Sequence, residues 1–195
     1  MTQDPTAALW LMLASLPVVV WVVRTDLATM RIPNTAVLTL VGGYAVVGAL
    51  TLPLAAYAWS WLHLVLILVA GFLLSLTGGF GAGDAKFAAA MAPFVAAADA
   101  LPFLMLLSAM AIAGFVLHRL ARQVPALVAA TPGWVSWQRR DFPFGIALAP
   151  TLTVYLALAA VRQGDTQIAR ALLQEAIATH PQHFDAAVTA LRAIS

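Results

Sequence analysis

Residues 32–83 read IPNTAVLTLVGGYAVVGALTLPLAAYAWSWLHLVLILVAGFLLSLTGGFGAG and contain no Asp, Glu, Lys or Arg. A helix needs about 20 mostly apolar residues to cross the hydrocarbon core of a bilayer. The stretch is too long for one crossing and long enough for two, and Pro53 offers a break between them. The sequence therefore predicts two membrane spans, near 35–52 and 56–77.

The composition of the whole chain supports a membrane protein. Its 195 residues are 63% hydrophobic and 9% charged, whereas soluble domains are about 45–50% apolar and about 25% charged. A water-soluble globule and a disordered chain are therefore excluded. No basic run or basic–aromatic pattern is present, so nucleic acid is not an expected partner. The chain has no cysteine, which excludes disulfides, thiol nucleophiles and Cys-ligated zinc.

Charged residues mark the ends of the other apolar stretches. Further spans are predicted between Asp4 and Arg24, over 100–118 and over 142–161. Residues 84–98 predict a helix of about 22 Å at 1.5 Å per residue. Such a helix is short for a membrane crossing, although a helix bundle that is open to water at one end can accommodate it.

The basic residues decide whether this short helix crosses the membrane. If it crosses, seven of them share one face, which the positive-inside rule makes cytoplasmic. They are Arg24, Arg31, Lys86, Arg119, Arg122, Arg139 and Arg140. If it does not cross, the four arginines of 119–140 fall on the opposite side from the first two. We therefore expect an all-α membrane protein of about six spans, with the N-terminus and the C-terminal tail outside the cytoplasm.

The C-terminal tail differs in composition from the rest of the chain. We expect a membrane domain over 1–162 and a helical tail over 163–195. One tail helix is predicted to begin at Gly164 and to close at Pro181, with a second near 183–194. The spacing resembles half of a tetratricopeptide unit, but one copy does not bury a core. A short helical hairpin at the membrane surface is the other interpretation.

Three aspartates lie at or near the ends of predicted spans. Asp26 and Asp84 fall on the cytoplasmic side at similar depth, and Asp99 falls at the other end of the short helix. We therefore expect Asp26 and Asp84 to meet, without Asp99.

Two carboxylates that share a site do not both ionise cheaply, so the pair holds one proton. The ionised member can act as a general base on water while the protonated one donates to a carbonyl, as an aspartyl protease requires. The alternative is that Asp84 caps a helix and Asp26 lies in a turn.

The sequence before Asp84 is rich in glycine and reads TGGFGAGDAK over residues 77–86. Glycine permits positive φ and close backbone approach, which suits a loop that re-aims a carboxylate and admits a peptide backbone. Gly81 and Gly83 are therefore predicted to support the site. Lys86 is predicted to pair with a carboxylate or to contact the substrate, unless it is only a snorkelling lysine at a span end.

Three sequence elements, in chain order, resemble the type IV prepilin peptidase family. They are Asp26 with Arg31-Ile-Pro-Asn34, then Gly81-Ala-Gly-Asp84-Ala-Lys86, then Pro143-Phe144-Gly145 before the last span. Members of this family are membrane aspartyl peptidases of the Gly-x-Gly-Asp type. The resemblance extends over about residues 8–161.

The resemblance implies that Asp26 and Asp84 are the catalytic pair and that no metal or other cofactor is needed. It implies cleavage of the short basic leader of type IV pilin-like precursors, just after a glycine, at the cytoplasmic face of the bacterial inner membrane. The chain is similar to the short form associated with Flp/Tad pili, without methyltransferase activity. Expected partners are pilin-like precursors, the lipid bilayer and the pilus-assembly or secretion machinery.

Two functions of other classes stay open. A proton-coupled transporter would use Asp26 and Asp84 as relay groups, and paired broken helices in inverted repeats would favour it. The sequence has one glycine-rich break, at 78–83, with no matching partner. A non-catalytic membrane subunit of pilus assembly would not need the two carboxylates.

Overall fold

The computed structural model describes residues 2–78 and 81–179, with side chains described as far as Arg162. Over these residues the chain is helical and forms no strand. The helices are α1 (Pro5–Thr29), α2 (Asn34–Thr51), α3 (Leu54–Ser75), α4 (Ala82–Met91), α5 (Ala100–Ala121), α6 (Pro125–Ala130) and α7 (Gly145–Thr179). Short 3₁₀ turns occupy Ala92–Phe94, Ala97–Asp99 and Val135–Trp137. The all-α prediction is confirmed.

Both ends of α1 follow from local chemistry. Asp4 Oδ1 accepts the Ala7 N–H at 2.8 Å, and Pro5 occupies the first helical position, where an N–H is not needed. Met30 has a φ of 56° and donates its N–H to the carbonyl of Asp26. This left-handed residue ends the helix and leaves Asp26 in its last turn.

Among the described residues, five helical segments are long and apolar enough to cross a membrane. They are α1, α2, α3, the stretch Ala97–Ala121 and the first part of α7, Gly145–Arg162. The two spans predicted within 32–83 are confirmed, and Pro53 separates them. Helices α1 and α7 are buried against each other at the centre, whereas α3 and α5 present apolar side chains to the surroundings.

The helix predicted over 84–98 is wrong in its second half. The α-helix ends at Met91, because Pro93 has no N–H with which to continue it. The chain goes on as a 3₁₀ turn and then as extended backbone at Val95 and Ala96. These conformations rise by about 2.0 and 3.3 Å per residue, so the segment reaches further than an α-helix of equal length.

This composite segment runs from one end of the bundle to the other. Asp84 shares a cavity with Asp26, at the C-terminal end of α1. At the opposite end, Asp99 accepts the N–H of Thr2 at 2.7 and 2.8 Å, just before α1 begins. The segment between Asp84 and Asp99 therefore accompanies α1 along its length, in addition to the five long helical segments.

Helix α7 continues without interruption from Gly145 to Thr179. The prediction that a separate helix begins at Gly164 is therefore wrong. The division into a domain over 1–162 and a tail over 163–195 stays a prediction. The second tail helix, expected near 183–194, lies outside the described residues.

Candidate active site

A cavity of about 420 Å³ lies at the end of the bundle where α1 ends. Its walls come from the last turn of α1, the turn into α2, the start of α4 and the segment before α7. Its polar and charged lining residues are Asp26, Arg31, Asn34, Asp84 and Lys86, with Gly81 and Gly83 beside them and Phe142 and Phe144 as an aromatic wall. The predicted juxtaposition of Asp26 with Asp84 is confirmed, and the three predicted supporting residues line the same cavity.

Asp26 is the deeply buried carboxylate of this cavity, with a 4% exposed side chain. Its Oδ2 accepts the backbone N–H of Gly145 at 2.7 Å. Gly145 is the first residue of α7, and the first N–H groups of a helix have no partner within it. A Cβ at position 145 would lie 2.8 Å from that oxygen and 3.1 Å from the Cβ of Asp26. A larger residue there would displace the carboxylate.

Asp84 lies in the first turn of α4 and is half-buried. Gly81 precedes the helix as its N-cap, and a Cβ there would lie 2.6 Å from Asp84 Oδ2. Gly81 therefore leaves room for the carboxylate of Asp84, as Gly145 does for that of Asp26. Among the described residues, the Asp84 carboxylate accepts no hydrogen bond.

The alternative that these aspartates cap a helix or lie in a turn is wrong for both. Asp84 caps no N–H of α4, since no side chain makes a capping hydrogen bond there. Asp26 lies within α1, and its carboxylate reaches α7, 119 positions further along the chain. The side chain of Asp26 is directed to another helix, and that of Asp84 lies beside Gly81 without forming a capping hydrogen bond.

The glycines before Asp84 act mainly by their small size. Gly78 has a φ of 75°, in the left-handed region. Gly81 has a φ of −67°, and Gly83 lies within α4 near Ile32, so neither needs positive φ. The expectation of unusual backbone freedom is met at Gly78, whereas Gly81 is required for close approach.

Lys86 and Arg31 bring positive charge to the mouth of the cavity. Both are exposed, and Lys86 Nζ lies 3.4 Å from Asn34 Oδ1, which connects α4 to the start of α2. Within the described side chains the ion pair is Arg139–Asp141, so neither cation is paired with Asp26 or Asp84. Of the alternatives for Lys86, an ion pair with a carboxylate is not formed among the described side chains.

This arrangement is suited to general acid–base chemistry on a bound peptide. Two carboxylates face one cavity large enough for water and an extended backbone, and aromatic side chains form one wall. Among the described residues, no group of three or more His, Asp or Glu could hold a metal ion.

Comparison with known families bears on this site. A family model described as the type IV leader peptidase family matches residues 9–117, more than half of the chain. The chain belongs to the type IV leader peptidase family. It is therefore a protease of the leader-peptidase type and, with its five apolar helical segments, a multi-pass membrane protein. Comparisons with curated proteins and with solved structures give no significant match.

The part that matches the type IV leader peptidases contains both cavity aspartates, α1 from residue 9 onward and the whole of α2 to α4. Gly145, which binds Asp26, lies beyond the matched residues. Sequence reasoning missed Asn34 and Gly145 as site residues. Each follows a proline by one or two positions and begins a helix at the arginine-rich end of the bundle. A helix start just after a proline at this end of the bundle is the signal that would have suggested both residues.

Proposed function

We propose that this leader peptidase is a membrane aspartyl endopeptidase with Asp26 and Asp84 as its catalytic pair. It removes the leader of type IV or Flp pilin-like precursors at the cytoplasmic face of the bacterial inner membrane. The observation that carries the proposal is that the two carboxylates, from different helices, line one cavity. Glycines at positions 81 and 145 leave room for them.

The chemistry uses one proton shared by two carboxyl groups. The ionised carboxylate takes a proton from a water as its oxygen attacks the scissile carbonyl carbon. The protonated carboxyl donates its proton to the carbonyl oxygen, which gives a gem-diol. As the C–N bond breaks, the leaving amine takes the proton that came from water. The carboxyl that donated to the carbonyl oxygen is reprotonated from a hydroxyl of the diol. Water is consumed and neither carboxyl is changed.

The distribution of positive charge supports cleavage on the cytoplasmic side. Arg119 and Arg122, at the end of α5, donate to the carbonyls of Arg140 and Arg139 at 2.7 and 3.0 Å. These arginines lie at the same end of the bundle as the cavity, since Phe142 contacts both Phe115 of α5 and the cavity. Basic residues are enriched in cytoplasmic loops, so we assign this arginine-rich end, with the cavity, to the cytoplasmic side. A leader on that side would reach both carboxylates.

The proposed partners follow from this position. A precursor whose leader emerges at the membrane face meets the exposed mouth of the cavity between Arg31 and Lys86, and the bilayer holds both proteins. Pilus-assembly or secretion machinery would use the processed product. We place the enzyme with the short Flp/Tad form of the family.

Leader removal in cells tests the proposal. The chain is co-expressed with a pilin-like precursor, and the precursor's size is followed for wild type, Asp26→Asn and Asp84→Asn. Asp141→Asn is the matched control, because its exposed carboxylate lies at the same end of the bundle and pairs with Arg139. We expect cleavage by wild type and by the control, and loss in the other two variants at equal membrane levels. Unchanged processing in either variant would contradict the catalytic pair, and no processing by wild type would favour a transporter or an assembly subunit instead.

A further inference from the structure

The two carboxylates of the cavity differ in one respect. Asp26 accepts a backbone N–H at 2.7 Å, and Asp84 accepts none from the described residues. Resting on the proposed peptidase activity, we infer that Asp26 is the ionised general base and Asp84 the proton-carrying acid. The N–H of Gly145 is the positioning group that makes them unequal.

One contact of Asp26 favours its charged form and works against the burial of the carboxylate, which favours the neutral form. A carboxylate that accepts a backbone N–H is stabilised as an anion, and such charge-assisted bonds are the strong ones. The donor is the first residue of α7, where the helix dipole places partial positive charge. The bond engages Oδ2 of Asp26, which leaves Oδ1 to accept a proton from water. The contact therefore orients this carboxylate and stabilises its charged form against burial.

The surroundings of Asp84 favour its neutral form. The start of α4 adds some positive potential there, but no side-chain cap bond is formed. Partial burial opposes a charge on Asp84, and so does the negative charge of Asp26 across the cavity. The other charged lining residues are Arg31, from the turn into α2, and Lys86, from α4, and neither pairs with a carboxylate. The segment before α7 contributes only Phe142, Pro143 and Phe144.

The assignment gives each proton a place. Asp26 takes a proton from water as the oxygen–carbon bond forms, and Asp84 gives its proton to the carbonyl oxygen. When the C–N bond breaks, Asp26 passes its proton to the leaving amine. Asp84 recovers a proton from the diol hydroxyl that becomes the new carboxyl group. Both groups return to their starting states, with Asp26 ionised.

A titration of single carboxyl groups tests this assignment without substrate. In Asp84→Ala only Asp26 remains in the cavity, and in Asp26→Ala only Asp84 remains. The infrared carbonyl band of the protonated group is followed against pH in reconstituted protein, with the double alanine variant subtracted. We expect Asp26 to ionise at lower pH than Asp84, because only Asp26 accepts a backbone N–H. Equal midpoints, or the reverse order, would overturn the assignment.

A third variant tests whether Gly145 sets the difference. Gly145→Ala, added to Asp84→Ala, is expected to move the ionisation of Asp26 to higher pH, because its Cβ displaces Oδ2 from the N–H. Gly42→Ala is the control, since a Cβ at Gly42 meets nothing within 4 Å. An unmoved midpoint in the Gly145 variant would show that the N–H does not set the charge.

The pH profile of cleavage gives an independent measurement in the otherwise wild-type enzyme. The acid limb of kcat/KM reports ionisation of the base, so Gly145→Ala is expected to move that limb to higher pH. Gly81→Ala displaces Asp84 instead and is expected to leave the acid limb in place. A shift of the acid limb by Gly81→Ala alone would reverse the roles. Since the infrared titration needs no substrate, failure of this assignment is distinguishable from failure of the proposed function.

Discussion

Gly71 of α3 and Ala85 of α4 are in such close contact that a Cβ on Gly71 would lie 2.9 Å from the Cβ of Ala85. Ala85 directly follows Asp84, so this contact sets how closely the aspartate-bearing helix lies against α3. Small residues at such interfaces let membrane helices approach each other, and packing there provides much of the association energy. The position of one cavity carboxylate thus depends on a glycine on another span.

Gly71→Ala is expected to lower the rate of leader cleavage by about tenfold or more. The added methyl group would push α4 away from α3, and displacement of a reacting group by about 1 Å can cost about 100-fold in rate. Gly43→Ala is the control, since a Cβ there meets nothing within 4 Å. Cleavage rates of both variants are compared with wild type at equal membrane levels. Equal rates for all three would show that this contact does not position Asp84.

Gly81→Ala is expected to lower kcat with a modest loss of thermal stability. The new Cβ would lie 2.6 Å from Asp84 Oδ2, and the carboxylate can rotate away at low cost. Glycine is a better N-cap than alanine, so the replacement should also cost the helix about 1 kcal/mol. Steady-state kinetics and a thermal unfolding curve separate the two effects. A stable variant with wild-type kcat would contradict the proposed role of Gly81.

Asp99→Asn is expected to reduce stability and to retain cleavage. Asp99 is 2% exposed and accepts hydrogen bonds from the N–H groups of Thr2 and Gln3 and from the hydroxyl of Tyr155. Weakening these charge-assisted bonds should cost about 1–3 kcal/mol. Thermal unfolding in detergent, with a cleavage assay below the transition, measures both effects. Loss of cleavage in a folded variant would show that catalysis needs Asp99, at the end of the bundle opposite the cavity, and would contradict the proposed site.

Removal of the residues after Arg162 is expected to leave cleavage intact. The cavity residues lie between Asp26 and Phe144, and the shortened chain keeps the apolar span of α7, Gly145–Arg162. A chain ending at Thr179 is the control for the end of the described helix. A chain that ends at Arg162, inserts normally and fails to cleave would show that the tail takes part in catalysis or substrate binding.

The sequence predicted the spans well because a segment that crosses a bilayer must be nearly free of charged residues. The break at Pro53 and the meeting of Asp26 with Asp84 followed from counting crossings between charged residues. The break after Met91 was missed, although Pro93 is visible in the sequence, because the whole segment was treated as one regular helix. The helix start expected at Gly164 was wrong, since a single glycine is tolerated inside a long helix.

The contact between Gly145 and Asp26 could not be predicted from the sequence. Its donor is a backbone N–H, which every residue except proline has, so no side chain identifies it. It depends on how α7 lies against α1, and the two residues are 119 positions apart. The steric role of Gly81 was equally hidden, because glycine before a helix suggests backbone freedom before it suggests space for a neighbouring carboxylate.

The most direct test of the account is leader hydrolysis by the purified chain in lipid vesicles, with a synthetic precursor spanning the leader junction. Mass spectrometry identifies the products, and initial rates are compared for wild type, Asp26→Asn, Asp84→Asn and Asp141→Asn. We predict one cut, just after a glycine, by wild type and Asp141→Asn, and rates at least about 100-fold lower in the other two variants. Wild-type rates in either Asp26→Asn or Asp84→Asn would contradict the catalytic pair.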